Sequence, residues 1–299
     1  MAPQPHLTHL TNPLATPQQL ETSASQLDGI PAELESSVHY ETARLVQAAG
    51  ILLRLPQEII AQAIVILTRF WTGPGDEGLW DVNAKDAAAA ALYVTAKPSA
   101  TPVSPKSLLS VFNNLTATRP DFANPLDKLP PTSPPVTSQP LTHAHLFSME
   151  SFLLICLNFQ THVSLPHPLL ITYLQTLSLL PPPSPSAAKL PHRALAHLNS
   201  ARFSPQKLYL THQPNALAVA AIYLAARELG VKLPEVEWWE VFDVGREELG
   251  FVVVGMRSME GWAEREREVW KGRRVPITAE EARGEVERIW MLEKGNERL

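Results

Sequence analysis

The sequence predicts an all-α fold made of two tandem five-helix units, followed by a charged helical tail. Proline is abundant at 28 of 299 residues, whereas glycine is scarce at 13. Because proline cannot donate a hydrogen bond to a sheet ladder, this composition disfavours a sheet-rich fold. Apolar residues recur at helical spacing along most of the chain. An Ala-rich helix also returns after 130 residues, which indicates a duplicated helical unit.

The first unit is expected to span residues 34–160. Residues 1–33 are rich in Pro, Thr, Gln and Ser and lack apolar periodicity, so we expect a flexible N-terminal arm that either docks on the fold or stays loose. A helix over 45–53 stops before Pro56, because proline disfavours helical backbone in the residue that precedes it. An amphipathic helix follows from Pro56 and ends near Gly73.

The centre of this unit is predicted to be the helix over Asp86–Lys97. It contains five consecutive alanines, whose small side chains let neighbouring helices approach from all sides. Further helices are expected over Lys106–Leu115 and His143–Leu157. Between them, residues 116–141 carry seven prolines and almost no periodicity, which predicts a loop outside the core.

The second unit is expected over residues 161–262. Its Ala221–Arg227 stretch matches Ala91–Lys97, with small, aromatic and basic positions in register. Around that helix we expect further helices over 168–179, 187–199, 238–242 and 247–259. The tail over 263–299 is dense in both acidic and basic residues. This pattern fits either a solvated helix with i,i+4 ion pairs or a partner-docking segment.

Composition excludes several classes of function. The formal net charge of −5 offers no basic face, so direct nucleic-acid binding is not expected. No apolar run approaches the length needed to span a bilayer, and no membrane association is expected. The single cysteine, Cys156, prevents an intramolecular disulfide and fits a reducing compartment.

Evidence for an enzyme is poor. The one close histidine pair, His143 and His145, lacks Cys or acidic partners at ligand spacing. Cys156 lies in an apolar run and is expected to be a buried hydrophobic residue rather than a nucleophile. Gly73–Gly75 has neither the length nor the lysine of a phosphate-binding loop. We therefore expect no catalytic residue, no metal and no cofactor.

Several stretches resemble the L-type cyclins. The run Leu-Val-Gln-Ala-Ala-Gly-Ile-Leu-Leu-Arg-Leu-Pro-Gln at 45–57 is similar to the opening of their first cyclin box. The resemblance continues in Ser148–Phe159, in Arg202–Arg227, and in Lys271–Arg274 with the charged helix that follows. Together these stretches span roughly residues 36 to 295.

The resemblance implies two five-helix cyclin boxes and a nuclear, non-enzymatic role as regulatory subunit of a cyclin-dependent protein kinase. For L-type cyclins the implied partner is a PITSLRE-type kinase, acting in transcription and pre-mRNA splicing. In cyclins generally, a Lys at the end of the first box's third helix and a Glu in its fifth helix contact the kinase around its αC helix. Those positions fall on Lys97 and Glu150 here.

Simpler roles for both residues remain open. Lys97 also fits a cation that complements the dipole at a helix C-terminus, and Glu150 fits an early-turn carboxylate behind a Ser148 cap. In this chain Lys97 is followed by Pro98-Ser99-Ala100 rather than by the acidic pair usual in the family. The alternative function is a cyclin-fold scaffold that does not activate a kinase and docks among the subunits of a transcription or spliceosomal assembly.

Overall fold

The structure, a computed structural model, describes residues 9–73, 78–118, 140–182, 187–271 and 273–296. All regular elements within these ranges are helices, and no strand occurs among them, so the all-α prediction is confirmed. Contacts divide the chain into two compact units. The first unit is drawn from Thr16–Thr161 and Glu266–Leu299, and the second from Met1–Ala15 and His162–Arg265.

The first unit holds a bundle of five helices, α3 to α7, preceded by two short helices. Its helices are α1 (Pro17–Glu21), α2 (Ala24–Leu27), α3 (Ala32–Leu52), α4 (Gln57–Thr72), α5 (Ala84–Ala96), α6 (Pro105–Thr118) and α7 (His143–Cys156). Helix α5 packs against α3, α4, α6 and α7, and its alanines are fully buried. The predicted central Ala-rich helix is therefore confirmed.

Helix α3 begins well before the predicted start near position 45. It follows Pro31, and its buried residues include Leu34 and Val38. Polar residues such as Glu35 and Glu41 are buried on the same helix. These buried polar positions interrupt the apolar periodicity, which explains why the sequence indicated only the second half of α3.

In the described residues, the second unit contains five α-helices, α8 to α12, and two short 3-10 elements. Its elements are α8 (Pro166–Thr176), a 3-10 turn (Ala187–Lys189), α9 (Leu190–Ala201), α10 (Leu208–Thr211), α11 (Pro214–Leu229), a 3-10 helix (Trp238–Phe242) and α12 (Arg246–Val269). Helix α11 packs against α8 and α9, as a central helix should. It starts at Pro214, 130 positions after Ala84 starts α5, so the predicted repeat is visible in the structure.

In the expected N-terminal arm, residues 9–15 take the docked alternative. The side chain of Asn12 is 3% exposed; its Nδ2 donates to the Ser164 carbonyl at 2.8 Å and its Oδ1 accepts from the Ser164 amide at 2.8 Å. Gln213 holds the Asn12 backbone in turn, accepting from its N–H at 2.9 Å and donating to its carbonyl at 3.0 Å. These paired amide contacts fix the segment within the second unit.

Residues 16–33 are also folded, as part of the first unit. Ser25 and Ile30 are buried, and the Ser25 hydroxyl accepts a hydrogen bond from the Leu79 amide at 3.0 Å. Short capped helices and one or two buried anchors hold this segment, and neither leaves a periodic signal in the sequence. Residues 1–8 of the expected arm lie outside the described residues.

The predicted loop over 116–141 is shorter than expected at both ends. Helix α6 continues to Thr118, and Thr116 is buried. At the other end Leu141 is buried, and its amide donates to Asn113 Oδ1 at 2.7 Å. Residues 119–139 lie outside the described part of the chain.

The charged tail packs on the first unit instead of lying free in solvent. After Glu266 it continues through a turn into α13 (Ala279–Asn296), whose inward residues include Ala282 and Val286. In the turn, Ile277 is buried and its carbonyl accepts from the Lys85 amide at 3.1 Å. The tail helix is therefore exposed on its charged side, while a short apolar face that the charge density hides packs on the first unit.

Candidate functional site

Lys97 and Glu150 form an ion pair on the surface of the first unit. The distance between Lys97 Nζ and Glu150 Oε1 is 2.9 Å. Lys97 is the C-cap residue of α5, and Glu150 lies in the middle of α7. The sequence placed each residue on its helix separately, and the packing of α5 against α7 brings them together.

The end of α5 is built to present Lys97. The Lys97 amide still donates to the Tyr93 carbonyl at 2.9 Å, so the helix runs up to this residue. Pro98 has no N–H with which to continue the helical ladder. Ser99 then closes the end, since its amide and its hydroxyl both donate to the Ala96 carbonyl, at 3.1 and 2.8 Å. The lysine side chain therefore leaves the helix at a fixed point.

Helix α7 holds Glu150 between buried residues. The helix is capped by Thr142, whose hydroxyl accepts from the His145 amide, so Ser148 is not its N-cap. Met149 and Leu153 are buried on either side of Glu150. The Glu150 side chain is only 12% exposed, against 57% for Lys97. The buried carboxylate thus depends on the more exposed lysine for its charged partner.

Aromatic residues surround the ion pair. Lys97 Nζ lies 5.4 Å from the centre of the Tyr93 ring, within cation–π range. The Tyr93 ring is 6.3 Å from that of Phe147, which in turn lies 6.1 Å from His143. The pair is therefore embedded in a patch of rings along the α5–α7 surface.

The neighbours of Lys97 stabilise its charge. The hydrogen bond to Glu150 and the negative charge of that carboxylate raise the pKa of Lys97 above its ordinary value. The ammonium therefore stays protonated throughout the neutral range. It has three N–H donors, and one of them serves Glu150, so the site can offer further donors to carbonyl groups of a partner.

Exposed apolar side chains occur on α7 and just beyond its end. Phe147 and Ile155 lie on the helix and Phe159 follows it; all three are exposed. The exposure of these side chains was not predicted from the sequence. The available signal was the absence of a polar face, because a surface helix that is apolar on every side presents apolar residues to solvent.

Other chemistry is not supported by the described residues. Among them no group of three or more His, Cys, Asp or Glu side chains is arranged to hold a metal ion. Cys156 is the last residue of α7 and is half-buried rather than fully buried as expected. The described helices also include none that is both long enough and apolar enough to cross a membrane.

Comparison with known sequences gives a consistent group of relatives. Cyclin-L1-1 of Oryza sativa subsp. japonica is 31% identical over 229 residues, covering 76% of this chain and 49% of the rice protein. An uncharacterised cyclin-L1-like protein of Schizosaccharomyces pombe is 30% identical, with 68% of this chain and 75% of that protein covered. Cyclin-L2 of Homo sapiens is 28% identical over 81% of this chain and 44% of its own length. No family model matches the sequence.

The chain spans about half the length of most of these curated relatives, as the rice and human proteins show. Its fold also matches solved structures. The yeast RNA polymerase II CTD kinase CTDK-1 complex contains a chain that aligns with a TM-score of 0.62 at 12% identity, covering 94% of this chain and 84% of that one. A viral cyclin from herpesvirus saimiri aligns with a TM-score of 0.55 at 14% identity, covering 78% and 87%. At these identities the likeness concerns the fold alone.

Sequence and fold therefore agree. The Schizosaccharomyces pombe relative is covered over three quarters of its length at 30% identity, and the structure is all-helical with the two-unit layout seen in cyclins. The chain belongs to the cyclin family, close to the L-type cyclins.

Proposed function

We propose that this protein is the regulatory subunit of a cyclin-dependent protein kinase and binds the kinase through the surface around Lys97 and Glu150. The observation that carries the proposal is the 2.9 Å ion pair set beside the exposed rings and aliphatic side chains of α7. Such a surface joins an apolar contact area to a small number of directed polar groups, which is the composition of a protein-binding site.

The relatives support this class of partner. The curated relatives are named as L-type cyclins. One solved structure with this fold is the yeast RNA polymerase II CTD kinase complex, and another is the CAK complex of Chaetomium thermophilum bound to ATP-gamma-S. We propose a PITSLRE-type kinase as partner and a nuclear role in transcription and pre-mRNA splicing, as the resemblance to L-type cyclins implies.

The site offers a cation and an anion side by side. Lys97 can donate to exposed carbonyl groups at one end of a kinase helix, while Glu150 can accept from exposed N–H groups. The apolar surface of α7 supplies the contact area that an exposed ion pair alone does not, since isolated surface ion pairs stabilise by about 0–1 kcal/mol. The two polar groups then fix the position of the kinase helix on this surface, and the burial of apolar side chains supplies the binding affinity for the kinase.

A subunit of this kind acts by selecting a conformation of its partner. A kinase is active when its αC Glu pairs with the β3 Lys, and the position of αC controls that contact. Shifting a kinase from about 1% to about 99% active takes roughly 5.5 kcal/mol of differential binding. A large apolar interface can supply such an amount, so activation follows if the protein binds the αC-in state more tightly.

The test is a calorimetric titration of a recombinant PITSLRE-type kinase domain with the wild-type protein and with the double variant Lys97→Ala/Glu150→Ala. We expect the double variant to bind at least tenfold more weakly, because it removes both directed polar groups while leaving the buried core of α5 and α7 intact. Circular dichroism should show unchanged helical content.

The matched control is Lys271→Ala/Glu268→Ala. This pair is also a lysine and a glutamate in contact, at 3.1 Å, and both side chains are largely exposed. This double variant also removes one positive and one negative charge, but in the tail and away from the proposed site. Kinase affinity should therefore stay within twofold of wild type. Equal affinity of the wild-type protein and the Lys97/Glu150 variant would remove these two residues from the proposed site.

A further inference from the structure

We propose that Thr101 is a phosphorylation site for a proline-directed protein kinase, and that the phosphate draws Lys97 away from Glu150. The proposed phosphorylation is argued from the exposure of Thr101 and from the proline that follows it. Its consequence for kinase binding rests on the function proposed above.

Thr101 and Pro102 lie in the open connection between α5 and α6. Both residues are exposed, and neither belongs to a helix. The residue that precedes a proline favours an extended backbone, and an extended segment is what a kinase must take into its active-site cleft. A kinase can therefore reach the Thr101 hydroxyl without unwinding α5 or α6.

The proline sets the class of kinase. Some kinase active sites offer no acceptor for the backbone N–H of the residue that follows the phosphorylated one. Because proline has no backbone N–H, such an active site favours proline at that position. The co-reactant is ATP. The bond between the γ-phosphorus and the β,γ-bridging oxygen breaks, a bond from phosphorus to Thr101 Oγ1 forms, the hydroxyl proton passes to the kinase's catalytic base, and ADP leaves.

The hydroxyl lies close to the end of α5. Thr101 Oγ1 is 3.4 Å from Ser99 Oγ, and Ser99 Oγ is 2.8 Å from the carbonyl of Ala96, the residue before Lys97. A phosphate on Thr101 would therefore face the carbonyl end of α5, where the helix dipole disfavours an anion. Lys97 is the cation at this end of the helix, so we expect the phosphate to form an ion pair with the Lys97 ammonium.

The competition for Lys97 favours the phosphate. Phosphothreonine carries about −1.5 to −2 charges at neutral pH and three acceptor oxygens, against one charge for a glutamate. Lys97 is more than half exposed and has a flexible four-carbon stem, so its ammonium can turn away from Glu150 without disturbing the core. The largely buried Glu150 would then be left without Lys97 as its charged partner.

The described residues contain three other Ser/Thr-Pro pairs, which serve as comparisons. Ser204, before Pro205, is buried and should resist modification. Thr16 and Ser104 are exposed, but each hydroxyl accepts a backbone N–H at the start of its helix, from Gln19 and Ser107 respectively. Neither lies in the turn that follows Lys97, so modification at Thr16 or Ser104 is not expected to move Lys97.

The first arm of the test is phosphopeptide mapping of the full chain after incubation with ATP and two purified proline-directed kinases, one mitogen-activated and one cyclin-dependent. A synthetic peptide covering residues 97–107 is treated in parallel. We expect Thr101 to be phosphorylated in both the peptide and the folded protein, with Ser204 unmodified. Modification of the peptide alone, of neither, or of other sites with Thr101 left untouched would overturn the proposal.

The second arm measures the effect on Lys97. The protein phosphorylated at Thr101 should bind the PITSLRE-type kinase domain at least fivefold more weakly than the unmodified protein, and Thr101→Ala should bind like wild type. In the Lys97→Ala background the difference between modified and unmodified protein should fall below twofold. If phosphorylation weakened kinase binding equally in the wild-type and Lys97→Ala backgrounds, Lys97 would not be exchanging Glu150 for the phosphate.

Nuclear magnetic resonance of the lysine ammonium groups separates this proposal from the function it rests on. Phosphorylation should shift the Lys97 ammonium resonance in the free protein, whether or not any kinase binds. If the unmodified protein binds no kinase while the resonance shifts, the proposed function fails and the exchange stands. If the resonance does not shift, the exchange fails even where kinase binding is intact.

Discussion

Gly50 determines how closely α3 and α4 approach. A Cβ atom added at this position would lie 2.5 Å from Ile60 Cγ1 and 2.7 Å from Ile60 Cδ1, well inside contact distance. Ile60 is itself almost fully buried. The glycine is therefore required by the packing of its neighbour and not by its own backbone conformation.

The variant Gly50→Ala should lower the free energy of unfolding by about 1–3 kcal/mol, because the added methyl group overpacks the contact. Chemical denaturation measures this loss. Truncating the neighbour tests the cause: in Gly50→Ala/Ile60→Ala the combined loss should be smaller than the sum of the two single losses by at least about 1 kcal/mol. Strict additivity would show that Ile60 is not what excludes a side chain at position 50.

At the scale of whole elements, α13 is held to the first unit by both apolar and charged contacts. Glu285 accepts from Arg273 at 2.9 Å and also pairs with Arg288, and Arg273 lies 4.8 Å over the Trp270 ring. The guanidinium of Arg274 donates to the Thr116 carbonyl at 2.9 Å, near the end of α6. The turn that precedes α13 is therefore tied to both α6 and α13.

Glu285 makes the tail sensitive to acid. The hydrogen bonds from Arg288 and Arg273 hold the pKa of Glu285 below its ordinary value of 4.5. A carboxylate whose folded pKa is depressed stabilises the fold above the unfolded pKa, and that contribution is lost as the pH falls through the folded pKa. Wild type should thus exceed Glu285→Gln in unfolding free energy by about 1 kcal/mol at neutral pH.

Denaturation at a series of pH values checks this. The difference between wild type and Glu285→Gln should be constant near neutral pH and should shrink once the pH drops below 4.5 and approaches the depressed folded pKa. Glu268→Gln is the control, since its partner Lys271 and the carboxylate are both largely exposed. A difference that stays the same down to strongly acid pH would show that the charge of Glu285 does not secure the tail.

The elements that the sequence predicted well are those with local signals. Pro56 and the prolines around position 105 mark helix boundaries through backbone sterics, and the alanines of α5 favour helix. Helices α4 to α7 accordingly begin and end within a few residues of their predicted bounds. The elements that it missed depend on distant partners. Asn12 is recognised by Ser164 and Gln213, far along the chain, and no pattern near Asn12 reports those contacts.

The candidate site shows the same division. The family resemblance placed Lys97 and Glu150 correctly at the end of one helix and inside another. Their 2.9 Å contact joins residues 53 positions apart and depends on how α5 packs against α7. The exposure of Phe147 and Ile155 was missed because apolar type alone does not show which face a neighbouring helix covers.

At the scale of the whole molecule, each unit contains an Ala-rich central helix against which other helices of the unit pack. Helix α5 in the first unit ends at Lys97, whereas α11 in the second ends at Gly230 in a left-handed conformation after a single basic residue in its last turn, Arg227. Of the two repeated units, the first therefore holds the candidate contact pair, Lys97 from the end of α5 and Glu150 from α7. This asymmetry is why we propose the first unit, rather than the second, as the kinase-binding unit.

The most direct test of the proposed function measures the turnover of a PITSLRE-type kinase domain on a peptide substrate with increasing amounts of this protein. We predict that saturating protein raises the rate at least tenfold, that Lys97→Ala/Glu150→Ala needs a tenfold higher concentration for the same effect, and that the protein alone transfers no phosphate. Binding at saturation with an unchanged rate would contradict activation and favour the scaffold function. Absence of any binding would contradict the assignment of a kinase partner.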